Sequence, residues 1–162
     1  IFSCNNIVDG NVLRKIVLGL IWGGSNGGPN NNTIINNLIE FNKMAFNGST
    51  WYSVICYNTV SNNNWNGIHL EERSRYNYIF RNIVCNNGIG ISLLETLTNT
   101  VYWNNIINNI IHGIMVVKAI TGDYNDTDLD NGGIRDTYLP WKEVDYYPVV
   151  NPYWSPCDIN QI

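Results

Sequence analysis

Charge is scarce in this chain. Of its 162 residues only 14% are Asp, Glu, Lys or Arg, and nine basic residues face thirteen acidic ones, for a formal net charge of −4. An average soluble domain carries about 25% charged residues. No basic stripe is present, so nucleic acid is excluded as a partner on electrostatic grounds. No apolar run approaches the roughly 18 residues that a transmembrane helix needs, and the best one, Ile16 to Trp22, is strand-sized. Soft metal donors are few and scattered, with two His and two Met. The four cysteines, Cys4, Cys56, Cys85 and Cys157, form no Cys-x-x-Cys pair, which argues against a structural zinc site. They allow three disulfide pairings, and their spacing does not choose between bridges and buried thiols. The chain opens on Ile-Phe-Ser-Cys, with neither an initiator Met nor a signal peptide, and so reads as a mature product or a fragment.

Asparagine fills the space that charge leaves, with 29 residues. Three of them, Asn31, Asn47 and Asn125, begin Asn-x-Ser/Thr sequons, a weak sign of export in so Asn-rich a chain. Their distribution is periodic. An aliphatic anchor is followed by Asn at +3, an aliphatic at +5 and Asn at +8. Ile34, Asn37, Ile39 and Asn42 fit this pattern, as do Ile55, Asn58, Val60 and Asn63. Ile79, Asn82, Val84 and Asn87 fit it again, and so do Val101, Asn104, Ile106 and Asn109. The anchors advance by 21, 24 and 22 residues. About twelve residues after its anchor, each of the last three repeats carries a second signal: Gly67-Ile68-His69-Leu70, Gly90-Ile91-Ser92-Leu93 and Gly113-Ile114-Met115-Val116. An earlier coil fits around Phe2, Asn5 and Ile7, and the Gly-rich run from Gly23 to Pro29 reads as an insertion after it.

A period of this length, divided into segments of three to five residues with alternating aliphatics, is too short for helices and right for strands. Asn tolerates left-handed backbone angles and bonds nearby backbone, so it marks turns. Stacking one unit on the next at about 4.8 Å aligns equivalent residues. Ile34, Ile55, Ile79 and Val101 then form an inward aliphatic column, and Asn37, Asn58, Asn82 and Asn104 a hydrogen-bonded Asn ladder. The fold expected is all-β: a right-handed parallel β-helix of about five coils of 21–24 residues over residues 1–118. Residues 119–162 are expected to form an acidic loop and an irregular aromatic, proline-rich cap within the same domain.

The Asn-x-Ile-x-x-Asn pattern followed by Gly-Ile-x-Leu resembles the right-handed β-helix repeat of carbohydrate-binding and sugar-hydrolase domains. It is most similar to NosD-type proteins and to archaeal surface β-helix proteins. The run Asp128-Leu129-Asp130-Asn131-Gly132-Gly133-Ile134-Arg135-Asp136, with Asp145-Tyr146-Tyr147-Pro148 after it, is similar to the loop and tail that close many of those helices. The resemblance covers roughly residues 32 to 152. It implies the fold; for activity it leaves enzymes, binding modules and structural proteins all open.

Three groups of residues could carry chemistry. Asp126, Asp128, Asp130 and Asp136 offer hard oxygen ligands at close spacing, which suits Ca²⁺, although Gly132 stands where similar tails place an acidic ligand. His69 and Glu71 lie between the core residues of one strand, on its outward side, and could do acid–base work. A second carboxylate is missing from their columns, so the paired acids of a glycosidase are not found. Tyr57, Arg81 and Trp103 share a column two residues after their anchors, and aromatic faces with an Arg between them can grip a glycan.

The expected function is therefore a non-catalytic extracellular or cell-surface structural and adhesive module, with glycan and Ca²⁺ as ligands. No cap is evident at the beginning of the chain, so either an upstream part is missing or that end docks onto another subunit, and a homo-oligomer or larger surface assembly through coil ends is expected. A polysaccharide lyase, hydrolase or epimerase acting through His69 and Glu71 is one alternative. The other is a NosD-like periplasmic protein handling copper, for which His69, His112, Met44 and Met115 are the only His and Met residues.

Overall fold

A computed structural model describes residues 4–22, 29–71, 74–96 and 99–117, together with the two short strands at 122–123 and 128–130. The strands recur in threes. The first set is β1 (Ile7–Asp9), β2 (Val12–Arg14) and β3 (Leu18–Trp22). Next come β4 (Thr33–Ile35), β5 (Leu38–Glu40) and β6 (Met44–Gly48), then β7 (Val54–Cys56), β8 (Thr59–Ser61) and β9 (Asn66–Leu70). β10 (Tyr78–Phe80), β11 (Ile83–Cys85) and β12 (Ile89–Leu94) follow, then β13 (Asn99–Tyr102), β14 (Asn105–Ile107) and β15 (His112–Val117). β16 (Gly122–Asp123) and β17 (Asp128–Asp130) complete the series.

Equivalent strands pair in parallel and build three sheets. The first sheet is β1-β4-β7-β10-β13-β16, the second β2-β5-β8-β11-β14-β17 and the third β3-β6-β9-β12-β15. This is a β-solenoid, the parallel β-helix expected. From β1 to β13 the chain completes four turns and then runs on, against an expected count of about five coils. β16 and β17 lie past residue 118, where the sequence placed the start of the loop and cap. The alternation Asp128-Leu129-Asp130 extends the second sheet, with Leu129 in register with Ile106.

The register follows the anchors: Val8, Ile34, Ile55, Ile79 and Val101 align across the first sheet. Ile34, Ile55, Ile79 and Val101 are fully buried, as are Ile39, Val60, Val84 and Ile106 of the second sheet. Period-two alternation sends the middle residue of each three-residue strand inward. In the third sheet Phe46, Ile68, Ile91 and Ile114 fill the core together with Leu70 and Leu93. The residue before each of these is small because coils approach closely there. A Cβ on Gly90 would lie 2.5 Å from the Gly113 carbonyl oxygen and 3.0 Å from Ile106 Cγ2, and one on Gly67 would lie 2.7 Å from the Gly90 oxygen.

Asn columns line the inside of the corners. Asn58 donates its backbone N–H and its Nδ2 to Asn82 Oδ1, both at 3.0 Å, and Asn82 does the same to Asn104 Oδ1 at 3.0 and 2.9 Å. The same Nδ2 groups also reach carbonyls, Asn82 bonding Ile55 O at 2.9 Å and Phe80 O at 3.1 Å. A second column links Asn42, Asn63, Asn87 and Asn109. A third, which the repeat pattern did not reveal, links Asn32, Ser53, Asn77 and Asn99. A buried polar group left without such a bond, as Asn32 Nδ2 is at one end of the third column, costs about 1–3 kcal/mol.

Candidate functional site: the aromatic face of the first sheet

The ladder asparagines do not themselves take the left-handed conformation. Wherever it is described, the residue before each one does, and its side chain is turned away from the ladder. Among the described residues fourteen non-glycine residues have positive φ, and eight of them are not Asn: Lys15, Phe41, Tyr52, Tyr57, Tyr76, Arg81, Glu95 and Trp103. The division has a physical reason. The buried position needs an amide to serve two coils at once, while the corner position needs only a tolerated φ and faces solvent. At the corner after the first sheet the exposed column is Asn36, Tyr57, Arg81 and Trp103, with φ between 52° and 57°.

Tyr57, Arg81 and Trp103 are thus brought together as the sequence proposed. The Arg81 guanidinium carbon sits 5.5 Å from the Tyr57 ring centroid and 5.1 Å from that of Trp103, and Arg81 Nη1 donates to the Tyr57 hydroxyl. Tyr57 and Trp103 remain 45% and 42% exposed.

The column is one edge of a larger surface that the sequence reading missed. Residues on either side of each buried anchor point outward from the first sheet, which places Tyr78, Phe80 and Tyr102 there. Tyr78 is 49% exposed. Phe80 stacks on Tyr102 at 5.0 Å and meets Tyr57 edge-on at 6.1 Å, and Tyr102 meets Trp103 edge-on at 5.1 Å. At the corner before the sheet, exposed Tyr52 and Tyr76 stack at 5.0 Å. Seven Tyr, Phe and Trp side chains therefore border or cover one face. The signal was available: each anchor is flanked at ±1 by the residues that alternation must expose. Low polarity on this face also affects its neighbours. Burial pushes the Cys56 thiol up, against a smaller opposing pull from Arg81. Burial likewise pushes the Tyr102 hydroxyl up, helped by Tyr78 and opposed by Arg81.

His69 and Glu71 are also paired, with 3.3 Å between Nε2 and Oε2. His69 does not lie on a solvated face as expected: its side chain is 9% exposed, and its Nδ1 is buried without a partner. Ser92, in register with His69, is fully buried, and its Oγ lacks a partner too. No carboxylate stands beside them on the next rung, where Ser92 and Met115 follow. Among the described residues the paired acids of sugar hydrolysis are not assembled here.

Soft-metal donors do not converge. His69 and Met115 share a column two rungs apart, which is about 10 Å. His112 is in register with Ile89, and Met44 with Leu18. Among the described residues no three His, Cys, Asp or Glu come together, so these residues do not fit a copper ion. Of the four aspartates proposed for Ca²⁺, Asp128 and Asp130 are on β17, and Asp126 and Asp136 lie outside the described residues. Cys4 is exposed and free and Cys56 buried and free, whereas Cys85 is disulfide-bonded. Cys157 is outside the described residues.

No helix among the described residues is long and apolar enough to cross a membrane. Comparison with curated proteins gives no match, and comparison with solved structures gives none. The profile of the family described as periplasmic copper-binding protein (NosD) matches residues 2–137. With the repeat, the three parallel sheets and a match over most of its length, the chain belongs to the NosD family.

Proposed function

We propose that this protein is a non-catalytic β-helix scaffold of the periplasm that binds a polysaccharide across the outer face of its first sheet. The observation that carries this reading is the exposed aromatic surface of Tyr57, Tyr78, Phe80, Tyr102 and Trp103 with Arg81 set among them. Aromatic side chains on rungs about 4.8 Å apart offer a continuous apolar surface to successive sugar rings. The parallel sheet beneath holds the rings in place at little entropic cost. The family description supports the periplasm, and a disulfide at Cys85 agrees with an oxidising compartment. The copper in that description finds no donor set among the described residues, so no role in this reading depends on it.

Titration calorimetry against soluble polysaccharides tests the proposal. Trp103→Ala is expected to weaken binding about two- to tenfold, the value of one aromatic contact, without altering the fold seen by circular dichroism. Absence of binding to every glycan class would remove the reading.

Self-association through coil ends is supported by a separate observation. Among the described residues Ile7, Val12 and Val17 are 74%, 59% and 68% exposed, and β1, β2 and β3 each stand at the edge of their sheet, where another strand can add. Sedimentation of the chain at increasing concentration tests it; a monomer at every concentration overturns it.

A further inference from the structure

Resting on the polysaccharide reading, we propose that the face selects an acidic polysaccharide, with Arg81 as the specificity residue that holds a sugar carboxylate or sulfate. Arg81 is held on both sides by the rings of Tyr57 and Trp103 and by its bond to the Tyr57 hydroxyl. That leaves most of its five N–H donors directed to solvent in a fixed fork, the geometry that matches a planar anion in two places. Among the described residues no carboxylate pairs with it: Arg14 bonds Glu40 and His69 bonds Glu71. The other Arg set on an aromatic ring, Arg75, lies 3.7 Å over Trp51 with its Nε buried, and is not presented in this way.

Position adds a second argument. Arg81 occupies a left-handed corner at φ 52°, where Asn36 serves two coils earlier and a long side chain is strained. A neutral sugar would need only the rings. In a chain of net charge −4, an exposed cation centred among them gives the face a local sign opposite to that of the whole protein, and an anionic glycan is the complement.

The test is calorimetry of the full chain with three oligomers of similar length: a uronate oligomer, a sulfated neutral oligomer and an unmodified neutral one. The expected result is that at least one anionic oligomer binds about tenfold or more tightly than the neutral one, with affinity falling as salt rises. Arg81→Gln should erase that preference while leaving weak neutral binding, and Arg81→Lys should restore part of it. The uronate and sulfate arms identify which anion is read. Equal binding of all three by the native protein, or an unchanged preference in a folded Arg81→Gln protein, overturns the acidic class and leaves the polysaccharide reading intact. Binding of none of them overturns both.

Discussion

At the corner after the first sheet, two columns run side by side. Asn37, Asn58, Asn82 and Asn104 are buried inside it; Asn36, Tyr57, Arg81 and Trp103 stand outside, one residue earlier in the chain. The inner column repeats one residue type because its side chain must donate to and accept from the coils on both sides. The outer column varies freely in chemistry although its backbone angle is nearly constant. Architecture is thus carried by the inner residue of each pair. The outer residue is open to another use, and at three successive coils it is Tyr, Arg and Trp.

The largest effect should come from the inner column. Asn82→Asp would turn a donor that faces Ile55 O, Phe80 O and Asn104 Oδ1 into a buried acceptor facing acceptors. A loss of about 3–5 kcal/mol is expected from an uncompensated buried charge, read by urea denaturation. A loss below about 1 kcal/mol would break the comparison, since the ladder would then be replaceable.

Next in size is the close approach of coils in the third sheet. Gly90→Ala places a methyl 2.5 Å from the Gly113 carbonyl and should cost about 1–3 kcal/mol, measured the same way. Gly90 is not at positive φ, so the penalty is one of packing rather than of backbone conformation.

The outer column predicts the opposite sign. Lys15 holds a left-handed corner at φ 55°, equivalent to Asn62, Asn86 and Asn108 in later coils. Lys15→Asn should therefore stabilise the protein by about 1 kcal/mol, seen as a higher urea midpoint with unchanged slope. A destabilised variant would show that Lys15 carries a contact outweighing the relief of strain.

The smallest effect is kinetic. Cys4 is exposed and Cys56 is 3% exposed under the aromatic face. The thiolate is the reactive species, and burial raises the Cys56 pKa, so less of it is ionised at a given pH. Alkylation of the native protein should label Cys4 first, with Cys56 following slowly and needing a higher pH. Equal rates near neutrality would show that the face above Cys56 opens readily.

Much of the fold was legible before any coordinates. The +3 and +8 asparagines are the two inner columns, and the anchors are the register of the first sheet. The column through Ser53 escaped because one Ser breaks the Asn pattern while its hydroxyl still joins the ladder. The Tyr57–Arg81–Trp103 column was found from spacing. Tyr78, Phe80 and Tyr102 were not, since they flank the anchors and show no fixed residue type from coil to coil. The solvated His69 expected from alternation was not found, because alternation gives the direction of a side chain and not what covers it.

The sequence by itself determined the period, the strand segments, the aliphatic anchors and two of the three buried polar columns. Each of these follows from local rules of alternation and side-chain hydrogen bonding repeated every 21 to 24 residues. Only the tertiary structure decided which residue of each corner pair takes the left-handed angle, how the outward rings meet across coils, and that Arg81 bonds the Tyr57 hydroxyl. Those depend on distances between residues more than twenty positions apart, which exist only once the coils are stacked.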